Sequence, residues 1–148
     1  EFLGLSREQA SERLTKGRTL LDSILARPIS APISAFVAPA WLYGRGAHAA
    51  LADCGFDMTE DHMRVWNPQT GALMGYGRVI SWASRSRIRI ASSLLFARIA
   101  PLILGQQKLV RIALHPGDAH VPALMRSIER TIRHFAQRRE VCHYADLY

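Results

Sequence analysis

Short extended runs alternate with helical ones along nearly the whole chain, and this alternation limits the fold more than any other feature. Two strands that run parallel cannot be joined by a tight turn; the chain must cross back through a dozen or more residues, usually a helix. The first helical stretch opens at "LSREQASERL", where Ser6 and Gln9 have capping-box spacing and Ala10, Leu14, Leu21, Ile24 and Leu25 follow at helical intervals, ending before Pro28. "ISAFVAPAW" then predicts a buried strand over about Ser34 to Ala38, stopped by Pro39. "GRGAHAALADCG" predicts a short helix closed by Gly55, and "FDMTED" a second strand. "HMRVWNPQTGALMGY" predicts a hairpin turning at Asn67, Pro68 and Gly71. "GRVISWAS" is a further strand, Arg85 to Leu104 a helix weakened near Pro101, and "LVRIAL" a strand ending at His115. "HVPALMRSIERTIRHFAQRR" is a long amphipathic helix with Pro122 in its first turn, and "VCHYADL" is expected to close the chain as a last strand. The order predicts an α/β fold of mainly parallel strands with one hairpin insertion.

The chain has 148 residues and is 49% hydrophobic, enough for one ordinary domain, and no linker or repeat divides it, so residues 1–148 are expected to form a single domain. The longest apolar-rich region, "IASSLLFARIAPLILG", is broken by Arg98 and Pro101 and falls short of a bilayer span, so no transmembrane segment is expected. Cys54 and Cys142 match no zinc or redox spacing and read as two reduced, mostly buried thiols in a cytoplasmic protein. The formal charge is +7, and of the 19 basic residues only Lys16 and Lys108 are lysines. A basic balance allows a nucleic-acid or anionic-surface binder, but no RRM, KH or helix-turn-helix pattern accompanies it. An arginine-rich composition accounts for it equally, and Arg85, Arg87 and Arg89 in "SRSRIRI" read as the solvated start of a helix.

Reactive groups of parallel α/β folds gather where strands end. The most informative end is "RIALHPGDAH". Pro116 biases His115 towards extended backbone, Gly117 permits a sharp turn, and Asp118 follows within reach. A histidine beside a carboxylate suits acid/base work, because the carboxylate sets the tautomer of the ring. Asp118 as a plain helix N-cap is the structural alternative, and a metal set of His115, Asp118 and His120 is a third. Trp41 and Trp82 stand at strand ends, where they offer either an aromatic wall for a sugar ring or core packing. The "TEDH" run, Thr59 to His62, reads as solvated charge at the start of a hairpin. His134 and His143 read as structural, and His48 carries no assignment.

"SAFVAPAWLYG", "ALADCGFDMTEDH" and "VRIALHPGD", followed by a long helix and a last strand, resemble the C-terminal half of polysaccharide-deacetylase-like proteins, the NodB-type carbohydrate esterases, with the DUF2334 group as the nearest branch. The resemblance runs from about Phe2 to Leu147 and rests on the order of the motifs. It implies part of a distorted (β/α) barrel and removal of N-acetyl groups from an amino sugar or polysaccharide with one divalent metal, commonly zinc. It also implies an aspartate base and a histidine acid drawn from a late Leu-x-His motif. His115 takes that place, although Leu114 and His115 are adjacent. Ala38 to Trp41, "APAW", stands where the family carries Arg-x-Pro-Tyr, so Pro39 and Trp41 are expected to line the sugar groove together with Trp82, and the family arginine is missing.

The family's Asp-Asp pair and His-x-x-x-His motif do not occur in these residues, so no metal ligand is assigned to them. They are expected upstream of Glu1, which leaves this chain inactive as the C-terminal portion of a barrel. A cut sheet edge would invite a homodimer. A carbohydrate-binding relic without catalysis is the alternative, distinguished by the absence of those motifs upstream.

Overall fold

In the helix expected after His115, the buried side chains are Leu124, Ser127, Ile128, Thr131 and Phe135. Their spacing of three and four lays one stripe along the helix and leaves the arginines on the other side. The computed structural model describes residues 2–25 and 33–147. Its other long helices are less cleanly divided: the first buries Ala10 and Leu14 but leaves Leu21 and Ile24 exposed, and the third buries Ala97, Ala100 and Leu104 but leaves Leu95 and Leu102 exposed. Among the described residues the fold is mixed α/β with four helices. In chain order these are α1 (Arg7–Ile24), β1 (Ala35–Phe36), α2 (Arg45–Asp53), β2 (Met58–Glu60), β3 (Arg64–Trp66), β4 (Leu73–Tyr76), β5 (Val79–Ser81), α3 (Arg87–Leu104), β6 (Arg111–Ala113) and α4 (Pro122–Ala136). The chain divides into two compact units, Glu1–Gly75 and Tyr76–Tyr148, with the division at the end of β4 rather than in a polar linker.

In the first unit the Ser6 side chain accepts the Gln9 amide while the Gln9 side chain accepts the Ser6 amide, so the predicted capping box starts α1. α1 packs on α2 around Ala10, Leu14, Ala47, Ala50, Leu51 and Phe56. Gly55, one residue beyond the cap of α2, has φ +70°, the left-handed turn that glycine adopts without steric cost. β1 and β2 run parallel with Ala35 opposite Met58, joined through α2 as a crossover requires. β3 returns antiparallel to β2 with Glu60 opposite Val65, and β4 completes the order β1-β2-β3-β4. The hairpin turns where expected: the Asn67 side chain accepts the amides of Gln69 and Thr70, and Gly71 has φ +73°.

In the second unit β5 and β6 pair in parallel, Ile80 opposite Ile112, with α3 as the crossover. The core is Ile80, Trp82, Ala97, Ala100, Leu104, Leu124, Ile128 and Phe135. Ser86 caps α3 by accepting the Arg89 amide, and Pro101 lies inside that helix.

The expected mainly parallel α/β layout is present, and among the described residues the sheets, of four and two strands, are open. One expectation changes. The last predicted strand, "VCHYADL", is not extended: Tyr144–Leu147 is a tight helical turn, preceded by irregular chain. The Asp146 side chain accepts the His143 amide at 2.7 Å and the Asp146 amide reaches the His143 carbonyl at 3.0 Å. Those local bonds satisfy the backbone without a sheet partner. Val141, which a buried strand would cover, is 80% exposed.

Candidate functional site

His115 lies two residues past the end of β6, in extended backbone with φ −111° and ψ 144°, as the following proline requires. Pro116–His120 then forms a single tight turn. Within it the Asp118 amide donates to the His115 carbonyl at 2.9 Å, and the Asp118 carboxylate Oδ2 accepts the His115 amide at 3.0 Å. The same Oδ2 is 3.7 Å from His115 Nδ1, beyond hydrogen-bond length but within ion-pair reach. Asp118 is buried, whereas the His115 side chain is 58% exposed. Asp118 Oδ1 is also buried and has no hydrogen-bond partner among the described residues. A Cβ on Gly117 would come within 2.8 Å of the Ser84 hydroxyl, so the turn lies close against the chain that follows β5 and a larger residue would turn that hydroxyl aside. The predicted pair is therefore assembled, with a fixed carboxylate and an accessible imidazole.

Unit two carries a groove of about 490 Å³ lined by Leu94, Arg98, Arg126 and Arg130. A second, of about 570 Å³, runs along Ile112, Leu114, Ile132 and Phe135. His115 lines neither. His120 is exposed in the same turn, and the set His115, Asp118, His120 does not form a metal site: no group of three or more His, Cys, Asp or Glu among the described residues is placed to hold one. Trp82 is 3% exposed, and its indole N–H donates to the Ser127 hydroxyl at 3.1 Å inside the core. Of the two readings of Trp82, the structure shows core packing.

The other predicted residues gather at the C-terminal ends of β1 and β2. Pro39 starts a tight turn, Pro39–Trp41, and is exposed. Ala40 and Trp41 have φ +55° and +57°, two successive non-glycine residues in the left-handed region. Each costs about 1–2 kcal/mol relative to ordinary backbone, so neighbouring contacts must hold them there. The Trp41 indole N–H donates to Glu60 Oε1 at 2.9 Å, and its ring lies against His62 with centroids 4.9 Å apart. The Tyr43 hydroxyl accepts the Ala38 amide at 2.9 Å, donates to the Glu60 carbonyl at 2.8 Å, and is 2.9 Å from the Thr59 hydroxyl. Burial pushes the Tyr43 hydroxyl above its ordinary pKa. Beyond it, His48 lies between Tyr43 and Trp66, with ring centroids 5.1 and 5.7 Å away. Burial holds its pKa below the ordinary value, and Arg64 adds to the shift.

The first two residues of "TEDH" are not solvated, whereas His62 is exposed. Thr59 is fully buried and Glu60 is 5% exposed. They belong to β2, which is covered on both edges by β1 and β3. Asp61, one residue on, is half-buried. Burial raises its pKa, but the amides of Met63 and Arg64 and the Arg64 guanidinium outweigh that and hold it below the ordinary value. Glu60, His62 and Tyr43 were given no role by sequence; the one available signal was a carboxylate at a strand end flanked by threonine. No protein-family model, curated protein or solved structure matches the chain. Among the described residues, no helix is long and apolar enough to cross a membrane.

Proposed function

We propose that this chain supplies the proton-donating part of a carbohydrate N-deacetylase, within a distorted (β/α) barrel of the polysaccharide-deacetylase type. The observation that carries the proposal is the His115–Asp118 pair, seated past the end of a parallel strand with the carboxylate buried and the ring accessible. Asp118 faces Nδ1, which leaves Nε2 on the opposite side of the ring for a substrate. When water adds to the acetyl carbonyl and the carbon–nitrogen bond breaks, the Nε2 proton passes to the departing nitrogen, giving acetate and a free amino sugar. Asp118 orients the ring during this transfer and is itself oriented by the His115 amide. The described residues do not form a site for the divalent metal that the resemblance implies, and no step is assigned to it. Cys54 and Cys142 are free thiols, which suits the reducing conditions of a cytoplasmic protein, but they are not mostly buried as expected: Cys54 is half-buried and Cys142 is exposed on the irregular chain after α4.

The test uses protein expressed from its complete reading frame, with zinc or cobalt added, and measures acetate release from N-acetylated chitooligosaccharide. His115→Ala is expected to reduce release by about 10²–10⁴-fold, the range for loss of a general acid. Release at the wild-type rate in the variant removes His115 from the chemistry. A carbohydrate-binding relic is the second reading, favoured by the Trp41–His62 surface, whose rings need no metal to contact a sugar.

A further inference from the structure

The charge of this chain is unevenly divided. Of its 19 basic and 12 acidic residues, twelve basic and four acidic ones fall in Tyr76–Tyr148, so the second unit carries +8 and the first −1. Charge gathered on one unit favours an anionic partner. α3 has no acidic residue, and α4 has only Glu129. Arg98 of α3 and Arg126 and Arg130 of α4 border one groove with Leu94, Leu95 and Ala123, and no ion pair among the described residues reaches any of the three. The second feature of α3 is that both of its sides are apolar. Ser93, Ala97, Ala100 and Leu104 are buried. Ile88, Leu95, Ile99 and Leu102 recur at intervals of seven, four and three, which sets them in one stripe on the opposite side. All four are exposed, Ile88 and Leu102 at 83%. A helix apolar on both sides, with one side in water, presents a surface for a partner.

We infer that the exposed side of α3, with the arginines beside it, rests on a bilayer surface containing anionic phospholipid. From Ile88 to Leu102 the stripe is about 21 Å long, at 1.5 Å per residue. Laid flat, its leucine and isoleucine side chains enter the acyl boundary, while Arg98, Arg126 and Arg130 reach headgroup phosphates, which a guanidinium binds through paired hydrogen bonds. α3 is not apolar enough to cross a bilayer, so it lies in the surface plane. A nucleic acid would neutralise the arginines but cover no leucine, and the groove has no aromatic ring on which a base could stack. A second copy would cover the leucines but crowd six arginines into one apolar contact. A peptide in the groove would leave Ile88 and Leu102 in water, because neither lines it. An anionic bilayer satisfies the charge and the whole stripe together. The inference rests on α3 and α4 and is independent of the deacetylase reading.

Protein expressed from its complete reading frame is mixed with vesicles of phosphatidylcholine alone, or of equal parts phosphatidylcholine and phosphatidylglycerol, and the bound fraction is read after sedimentation. Binding is expected on the mixed vesicles, with little on the neutral ones, and it should weaken as salt rises. Replacing Arg98, Arg126 and Arg130 together by Gln is expected to weaken binding about a hundredfold, at about fivefold for each arginine. Leu95→Gln combined with Leu102→Gln is expected to weaken it by at least about tenfold. All five side chains are exposed, so circular dichroism and thermal melts should match wild type; Leu102→Gln alone replaces the pair if the pair unfolds. No binding of folded wild type to the mixed vesicles overturns the inference. Equal binding to neutral vesicles overturns the part given to the arginines, and unchanged binding in a folded leucine variant overturns the part given to the stripe. Duplex DNA bound through the three arginines, without vesicle binding, makes this face a nucleic-acid site and overturns the bilayer. A dimer that the leucine variant dissociates, again without vesicle binding, assigns the stripe to a second copy and does the same.

Discussion

Replacing Tyr43 by Phe removes one oxygen atom and should cost far more than its size suggests. That oxygen accepts the Ala38 amide at 2.9 Å and donates to the Glu60 carbonyl at 2.8 Å. Ala38 is almost fully buried, so its amide loses its acceptor in a place with little access to water. An unpaired buried donor costs about 1–3 kcal/mol, and loss of a neutral hydrogen bond to the Glu60 carbonyl adds about 0.5–1.5 kcal/mol. Two features reduce the sum. Tyr43 is only half-buried, which lets water reach part of the vacated space. The Thr59 hydroxyl, already donating to the Phe36 carbonyl at 2.8 Å, loses a competitor rather than its principal partner. The expected loss is about 2 kcal/mol, a factor of roughly 30 in the folding equilibrium. Urea unfolding at 25 °C measures it, provided the denaturant slope stays constant. Tyr76→Phe is the control: Tyr76 is 55% exposed, and its hydroxyl should matter by no more than about 0.5 kcal/mol. If Tyr43→Phe matched that control, the hydroxyl would not be joining the Ala38 turn to the end of β2, and the positioning of Trp41 would need another cause.

His48 and Trp82 give two further tests. The fold favours the neutral His48 ring, so unfolding takes up a proton below the ordinary value of 6.5. Stability is then present above about pH 6.5 and is lost as pH falls through the lower folded pKa. His48→Phe keeps a ring between Tyr43 and Trp66, and it should flatten unfolding free energy just below about pH 6.5 in a urea series; an unchanged slope would refute the assignment. Trp82→Phe should cost about 1–3 kcal/mol in the same assay, through lost packing and an unpaired Ser127 hydroxyl, while leaving oligosaccharide affinity unchanged. Altered affinity with intact stability would return Trp82 to a groove.

How far this fold was legible depended on how local its causes are. α4 could be read because one stripe of Leu124, Ile128 and Phe135 with Pro122 at the first turn is a pattern inside fifteen residues. The hairpin could be read because Asn67 satisfies the amides of its own turn. The pairing of His115 with Asp118 was likewise visible, since the turn that joins them is five residues long. The closing segment misled for the same reason in reverse: "VCHYADL" has strand composition, but a carboxylate three residues from His143 captures its amide before any sheet partner does. The first unit's site was hidden because its causes are distant. Whether Glu60 is solvated depends on β1 and β3 lying on either side of it, and on an indole 19 residues earlier. Nothing in "PAW" signals that Ala40 and Trp41 take positive φ, because neither residue type favours it; the conformation follows from Tyr43 holding Ala38 and Glu60 holding Trp41. Strain that no local preference explains is therefore the structural mark that separates Trp41 from the two core tryptophans, and it is the mark a sequence cannot carry.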